Sequence, residues 1–180
     1  MPVEAKPLFR PDALRPHLVA FPWPDNIGEI RNTVGKWAEM IRSLRADKFK
    51  EKELLPRFLM DIFGTVLGYT EPADDAERFT FSRERHVEVD GKFADAVLGH
   101  FRPDGFTSVV ALEGKGPLDP LDRPFAGRKK SAVEQGYGYA INLECDWIIV
   151  TSMKQTRIVY PTSAKGETAL LGARLFIDSP

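Results

Sequence analysis

The chain is poor in cysteine, in net charge and in long apolar stretches. Its single cysteine, Cys145, cannot form a disulfide within the chain, which favours a reducing compartment over a secreted protein. No run of about 20 apolar residues is present, so no membrane-spanning helix is predicted. The first residues lack the charged start and apolar run of a targeting signal, so a cytoplasmic protein is expected. The formal charge of −1, from 25 Lys+Arg and 26 Asp+Glu, argues against a uniformly basic binder but allows local basic patches.

The composition is that of an ordinary globular domain. With 180 residues, 43% hydrophobic and 28% charged, the chain is long enough for one domain with a buried core, and disorder or low complexity is excluded. Six of the fourteen prolines lie in residues 1–24. We therefore predict an extended proline-rich arm at residues 1–25 and a single domain at 26–180, with its core at about 47–160.

The first helix after the arm is indicated by a capping signal and an apolar stripe. Asn26 and Glu29 have capping-box spacing. Apolar residues then recur at steps of three and four from Ile27 to Leu44, the spacing of one buried helical face.

A second helix is predicted from about 47 to 67, with Gly68 placed to end it. In helical projection Glu51 lies about 50° from the centre of the apolar face and Glu53 about 150° from it, so Glu51 is predicted to point toward the core and Glu53 toward water. A carboxylate on an apolar face is costly unless it is paired or metal-bound. Glu51 is therefore either a functional residue or part of a frayed helix start.

Beyond Phe79 the pattern changes to that of strands and turns. Asp90-Gly91 is a strong hairpin signal, and Pro103-Asp104-Gly105 marks a second turn. Ser131 and Glu134 form a capping box. The order predicts an α/β sandwich with a mixed sheet. The elements predicted beyond Phe79 are strands at 86–89, 93–98 and 108–115, a helix at 131–143, and strands at 146–151 and 156–160.

Three polar side chains occupy strand positions that would ordinarily be apolar. Asp95 shares a face with Phe93 and Val97, and Glu113 shares a face with Lys115, because strand side chains alternate with period two. Two carboxylates on neighbouring strands suit Mg²⁺, which takes one or two carboxylates plus waters and phosphate oxygens. Lys115 could then orient a metal-activated water and offset charge on a phosphorane.

The alternative is that these residues form a structural ion pair on the sheet, because Glu-x-Lys is a common pattern. The joint context favours function: Asp95 lies at the centre of the preceding strand, and Gly114 between Glu113 and Lys115 allows close backbone approach.

These residues resemble the PD-(D/E)XK nuclease superfamily. Asp95 is followed eighteen positions later by Glu113-Gly-Lys115, and Gln135-Gly-Tyr-Gly-Tyr139 matches the Gln-x-x-x-Tyr motif of its RecB-like branch. Further stretches are similar to the N-terminal nuclease regions of type I-like and type IIG restriction-modification enzymes. They lie at 51–69, 112–117, 121–124 and 131–135.

The resemblance implies an α/β fold with a central mixed β-sheet flanked by helices in αβββαβ order, preceded by an N-terminal helical extension. It implies Mg²⁺- or Mn²⁺-dependent hydrolysis of DNA phosphodiester bonds, with Asp95 and Glu113 as metal ligands. Lys115 would position the attacking water, and Glu51 would orient a ligand or hold a second ion.

The resemblance also implies partners. Gln135 and Tyr139 would lie beside the site, aligning Lys115 or contacting the DNA backbone. The partners would be double-stranded DNA and the methyltransferase and target-recognition domains or subunits that these residues do not contain. The chain is thus expected to be part of a larger protein, and a dimer would allow double-strand cleavage.

A basic loop flanks the predicted site. Arg123, Arg128, Lys129 and Lys130 could neutralise DNA phosphates in a salt-sensitive, sequence-independent manner, or could form a plain solvated loop.

Two other functions compete with cleavage. One is a catalytically inactive nuclease-like domain that binds DNA or another subunit. The other is a glycosidase with Asp95 and Glu113 as its acid/base pair, which a carboxyl separation too short for glycosidase chemistry would exclude.

Overall fold

The computed structural model describes residues 10–87 and 92–160. Along the chain, a group of helices is followed by three strands, one further helix and two further strands. A short 3-10 turn at Ala46–Lys48 precedes the third helix, α3 (Glu51–Leu59). A π-helical segment, Met60–Val66, continues α3 without a break. The helices are α1 (Pro11–Ala20), α2 (Ile27–Arg42), α3 (Glu51–Leu59) and α4 (Ala132–Asn142), and the strands are β1 (Phe79–Val87), β2 (Lys92–Arg102), β3 (Gly105–Gly114), β4 (Trp147–Thr151) and β5 (Thr156–Val159).

The strands form one five-stranded sheet in the order β1-β2-β3-β4-β5. The pairs β1–β2, β2–β3 and β4–β5 are antiparallel, whereas β3 and β4 are parallel. Parallel neighbours need a crossover connection, which α4 supplies between β3 and β4. The prediction of an α/β protein with a mixed sheet flanked by helices is confirmed.

Helices cover both faces of the sheet, and each face has its own apolar cluster. On one face α4 packs through Ala132, Tyr139 and Ala140 on Ile148 and Val150. Gly136 is required there, because a Cβ atom would lie 2.7 Å from Ile148 Cγ2.

On the other face α2, α3 and the π-helical segment contribute Trp37, Leu55, Phe58 and Phe63, which pack with Phe81 and Leu112 of the sheet. This layer brings the first turn of α3 to the end of β3. Gly114 allows that approach, because a Cβ atom would come within 3.0 Å of Leu55 Cγ.

The extended conformation predicted for the N-terminal arm is wrong for residues 11–20, which form α1. Pro11 is at the start of the helix, where its missing N–H and fixed φ are compatible with helical geometry. Pro16, inside the helix, removes one further hydrogen bond. No residue of α1 is buried.

The two predicted N-terminal helices differ in detail from the structure. Asn26 occupies the N-cap position of α2 but its side chain makes no capping hydrogen bond. The continuous helix expected over 47–67 is divided into the 3-10 turn, α3 and the π-helical segment. The apolar spacing indicated a helical face but could not distinguish these hydrogen-bond patterns. The predicted end is confirmed, since Gly68 has φ +78° and its N–H donates to the Gly64 carbonyl at 2.8 Å.

The strands are mostly longer than predicted. The first was expected at 86–89 but β1 already begins at Phe79, because the charged Arg83, Glu84 and Arg85 obscure its alternation. The Asp90-Gly91 turn lies outside the described residues. The Ser131–Glu134 capping box is confirmed, with Ser131 N–H donating to Glu134 Oε2 at 2.7 Å and Glu134 N–H to Ser131 Oγ at 3.2 Å. Among the described residues, no helix combines the length and apolar character needed to cross a bilayer.

Candidate active site

The predicted polar cluster lies where β2 and β3 run side by side. Ala96 pairs with Leu112 and Val97 with Ala111 in antiparallel register. Continuing that register by one residue places Asp95 opposite Glu113, and directly opposed residues of an antiparallel pair share a face. The two carboxyl groups are close enough for each to change the pKa of the other.

Lys115 is buried in contact with Glu113. Only 2% of Glu113 and 6% of Lys115 is exposed, and Lys115 Nζ donates to Glu113 Oε1. The backbone of Lys115 is fixed by its N–H, which donates to the Thr151 carbonyl at 2.7 Å. Asp95 Oδ2 accepts a hydrogen bond from Gly114 N at 2.7 Å, which ties β2 to the end of β3.

Burial and mutual repulsion change the acidity of both carboxyl groups. The pKa of Glu113 is raised from its usual 4.5 to about 8, first by desolvation and second by the charge of Asp95, while Lys115 acts in the opposite direction. The pKa of Asp95 is also raised, mainly by desolvation, against the opposing effects of the Gly114 hydrogen bond and the Lys115 charge. The single positive charge of Lys115 therefore does not restore the usual pKa values of the two carboxyl groups. A further positive charge nearby would favour their ionised forms.

The first turn of α3 brings a third carboxylate toward this pair. The Glu51 side chain is 29% exposed, and its negative charge contributes to raising the pKa of Asp95. Glu53 instead folds back to the start of α3, where its Oε2 accepts from Lys50 N at 2.8 Å. The predicted orientations, Glu51 toward the core and Glu53 toward water, agree with these positions.

The loop between β3 and α4 adds Asp119 and Arg128, of which sequence reasoning missed Asp119. Arg128 Nη1 lies 2.7 Å from Asp119 Oδ2, and Arg128 Nη2 lies 3.4 Å from Glu51 Oε2. Gly116 lies next to these groups, since a Cβ atom there would make ordinary contacts with Asp119 Oδ1 at 3.6 Å and Glu51 Cβ at 3.8 Å. The only sequence signal for Asp119 is its place in a loop that starts directly after Glu113-Gly-Lys115.

The residues of the Gln-x-x-x-Tyr pattern share α4 but differ in their surroundings. Gln135 Nε2 donates to the carbonyls of Lys130 and Ser131, at 3.3 and 3.2 Å, so its amide is bonded to the backbone just before α4 and not to Lys115. Tyr139 is buried in the core, and its pKa is raised by desolvation and by the charges of Glu113 and Asp95. Its hydroxyl therefore stays protonated near the acid pair.

The other basic residues of the loop are exposed. Arg123, Lys129 and Lys130 face solvent, and Leu121 anchors the loop in the core, where its carbonyl accepts from Val133 N at 3.2 Å. Arg128 differs from these three because it is paired with carboxylates.

A cavity of about 370 Å³ opens beside Asp95. Leu55, Pro56 and Leu59 form an apolar wall, and Arg83 and Glu84 lie opposite. Glu84 has φ +50°, a left-handed conformation that is uncommon for a residue other than glycine. The cavity offers space next to the acid pair.

A glycosidase would use Asp95 and Glu113 as its acid/base pair but would leave the buried Lys115 beside them without a role. Comparison with protein families, with curated proteins and with solved structures finds no match.

Proposed function

We propose that the protein is a Mg²⁺- or Mn²⁺-dependent DNA endonuclease with a PD-(D/E)XK type of core, acting in a restriction-modification system. The observation that carries the proposal is the convergence of half-buried Asp95 with buried Glu113 and Lys115 at the end of β3. The order α3–β1–β2–β3–α4–β4 is compatible with the core that the sequence resemblance implies.

The donor set fits a hard divalent cation. Asp95 and Glu113 supply carboxylate oxygens, and among the described residues no third His, Cys, Asp or Glu joins them in a preformed ligand group. Mg²⁺ is commonly held by one or two carboxylates while it keeps water and substrate oxygens. Four carboxyl groups, those of Asp95, Glu113, Glu51 and Asp119, lie near two basic side chains, so two further positive charges would balance the cluster.

Bound at Asp95 and Glu113, the ion would supply Lewis-acid activation of the phosphate and of a water molecule. Lys115, fixed by the Glu113 carboxylate and the Thr151 carbonyl, directs its ammonium group toward the acid pair. There it can hold the attacking water and offset negative charge on the phosphorane. The water oxygen forms a new P–O bond, one bridging P–O bond breaks, and the departing oxygen takes up a proton.

Exposed Arg123, Lys129 and Lys130 would bind the DNA backbone beside this centre. Burial raises the pKa of Tyr139, and the residue lies near enough to the acid pair for the charges of Glu113 and Asp95 to raise it further, so its hydroxyl stays protonated and adds no charge there.

The test is cleavage of supercoiled plasmid by the protein, with any further domains it carries, in the presence of Mg²⁺ or Mn²⁺. The proposal predicts cutting that EDTA abolishes and that Asp95→Ala and Lys115→Ala each remove. Unchanged cutting in both variants would contradict it.

A second candidate is a nuclease-like domain that binds DNA or a subunit without cutting it. It is favoured by the buried contact in which Lys115 already occupies a Glu113 oxygen. Tight DNA binding in a gel shift, with no metal uptake in calorimetry and no cleavage, would select this candidate over the nuclease.

A further inference from the structure

Arg128 lies between two carboxylates that come from different parts of the chain. Its two terminal nitrogens contact separate partners, Asp119 at 2.7 Å and Glu51 at 3.4 Å. The three side chains are between 14% and 35% exposed, so this cluster is partly shielded from solvent. A planar guanidinium group can contact two carboxylates at once, which a single ammonium group does less well.

This cluster adjoins the acid pair of β2 and β3. The charge of Glu51 acts on Asp95, and the charge of Glu113 acts on Arg128. The region at the end of β3 thus already contains two positively charged side chains. Lys115 is paired with Glu113, and Arg128 is paired with Glu51 and Asp119.

We propose that the Arg128 guanidinium group takes the place of a second divalent cation, so that the protein binds one such ion and not two. This inference rests on the proposed function, which provides the ion at Asp95 and Glu113. Sites with two metal ions hold them about 3.5–4 Å apart, with carboxylates shared between the ions. Glu51 is the carboxylate that could extend the site beyond Asp95, and Arg128 already occupies one of its oxygens.

Arg128 is a positioning residue in this account. It contacts both Glu51 and Asp119, and in this way it holds the loop of residues 116–130 against the start of α3. A second divalent cation between the same carboxylates would have to displace a permanently charged group that already contacts both.

The experiment is calorimetric titration of the whole protein with Mn²⁺, accompanied by electron paramagnetic resonance of the bound ions. Wild type is expected to bind one Mn²⁺ and to give the spectrum of an isolated ion. Arg128→Gln is expected to bind two Mn²⁺, with the line broadening of a close pair. Arg128→Gln combined with Asp119→Asn is expected to return to one, because the added site loses a carboxylate. Arg123→Gln, a change of an exposed arginine in the same loop, is expected to bind one.

Each other result has a definite meaning. Two ions in wild type would overturn the inference and leave the proposed function standing, and this measurement does not depend on the folding of any variant. One ion in Arg128→Gln, with a far-ultraviolet circular dichroism spectrum and thermal unfolding like those of wild type, would also overturn it. No ion in wild type would contradict the metal-dependent function itself, and with it the inference.

Discussion

Two kinds of cross-strand pair lie next to each other in β2 and β3. Ala96 opposite Leu112 and Val97 opposite Ala111 are fully buried apolar pairs. One residue further along the same strands, Asp95 lies opposite Glu113. Burial of the apolar pairs stabilises the folded state. Burial of the carboxyl pair destabilises it, because the two groups lose hydration and repel each other. Within three residues the sheet changes from a region that stabilises the fold to one that costs stability, as expected where side chains serve a ligand.

The largest expected effect comes from removing the charge of Lys115 while keeping its size. Lys115→Met should lower the DNA cleavage rate by about 10³-fold, or about 4 kcal/mol in activation free energy, because the group that offsets phosphorane charge is lost. Thermal stability should fall as well, because removing one partner of a buried ion pair leaves the Glu113 carboxyl group buried without its cation. Cleavage at the wild-type rate would show that Lys115 serves only the fold. Rate and melting temperature should both be measured.

The matched change in the apolar pair should lower stability without affecting the site. Leu112→Ala removes a fully buried side chain from the cluster beneath α3 and should lower the free energy of unfolding by about 2–5 kcal/mol. Below the melting transition the number of Mn²⁺ ions bound should stay the same. Denaturant unfolding and calorimetry measure the two quantities, and loss of metal binding in the folded variant would remove the distinction between the pairs.

The pH dependence of stability should come from the carboxyl pair. Because the pKa of Glu113 is raised from 4.5 to about 8, the folded protein holds a proton across this range that the unfolded chain has released. Stability is then highest below about pH 4.5 with respect to this group and falls as the pH rises toward 8. The raised pKa of Asp95 acts in the same direction. In metal-free buffer, the melting temperature should fall over this range.

Glu113→Gln should flatten this slope without abolishing it, because Asp95 remains. The measurement is thermal unfolding in EDTA at several pH values, with Glu134→Gln, a change of an exposed helix-capping residue, as the control. An equal slope in wild type and Glu113→Gln would show that Glu113 does not titrate in this range.

The smallest effect is expected at the exposed lysines of the loop. Lys129→Gln should weaken DNA binding by a few fold and reduce the slope of log affinity against log salt by about 1, because one phosphate contact is lost. Gel shifts at several salt concentrations test this, with Lys36→Gln on the exposed side of α2 as the control. Equal slopes for both variants would exclude the loop from the DNA interface.

Local patterns predicted the parts of the molecule that local geometry determines. Strand alternation was sufficient to place Glu113 and Lys115 together and to single out Asp95, and the helical period distinguished Glu51 from Glu53. Asp119 and Arg128 meet Glu51 only because the loop of residues 116–130 folds back on α3, a contact across 77 residues that no short pattern encodes. Gln135 and Tyr139 both lie on α4 as expected. The Gln135 amide, however, donates to backbone carbonyls at the start of the helix and not to a residue of the candidate site. The proline content of the arm concealed α1 because Pro11 fits a first helical turn.

The most direct test of the central claim compares the two ends of one strand pair. Asp95 lies in the candidate site, and Asp104 lies in the exposed turn that joins β2 to β3. Asp95→Asn and Asp104→Asn make the same chemical change at each end. In a plasmid cleavage assay with Mg²⁺, Asp95→Asn is predicted to cut at least about 10³-fold more slowly than wild type, and Asp104→Asn at the wild-type rate. Wild-type cutting by Asp95→Asn, or equal losses in the two variants, would contradict the account.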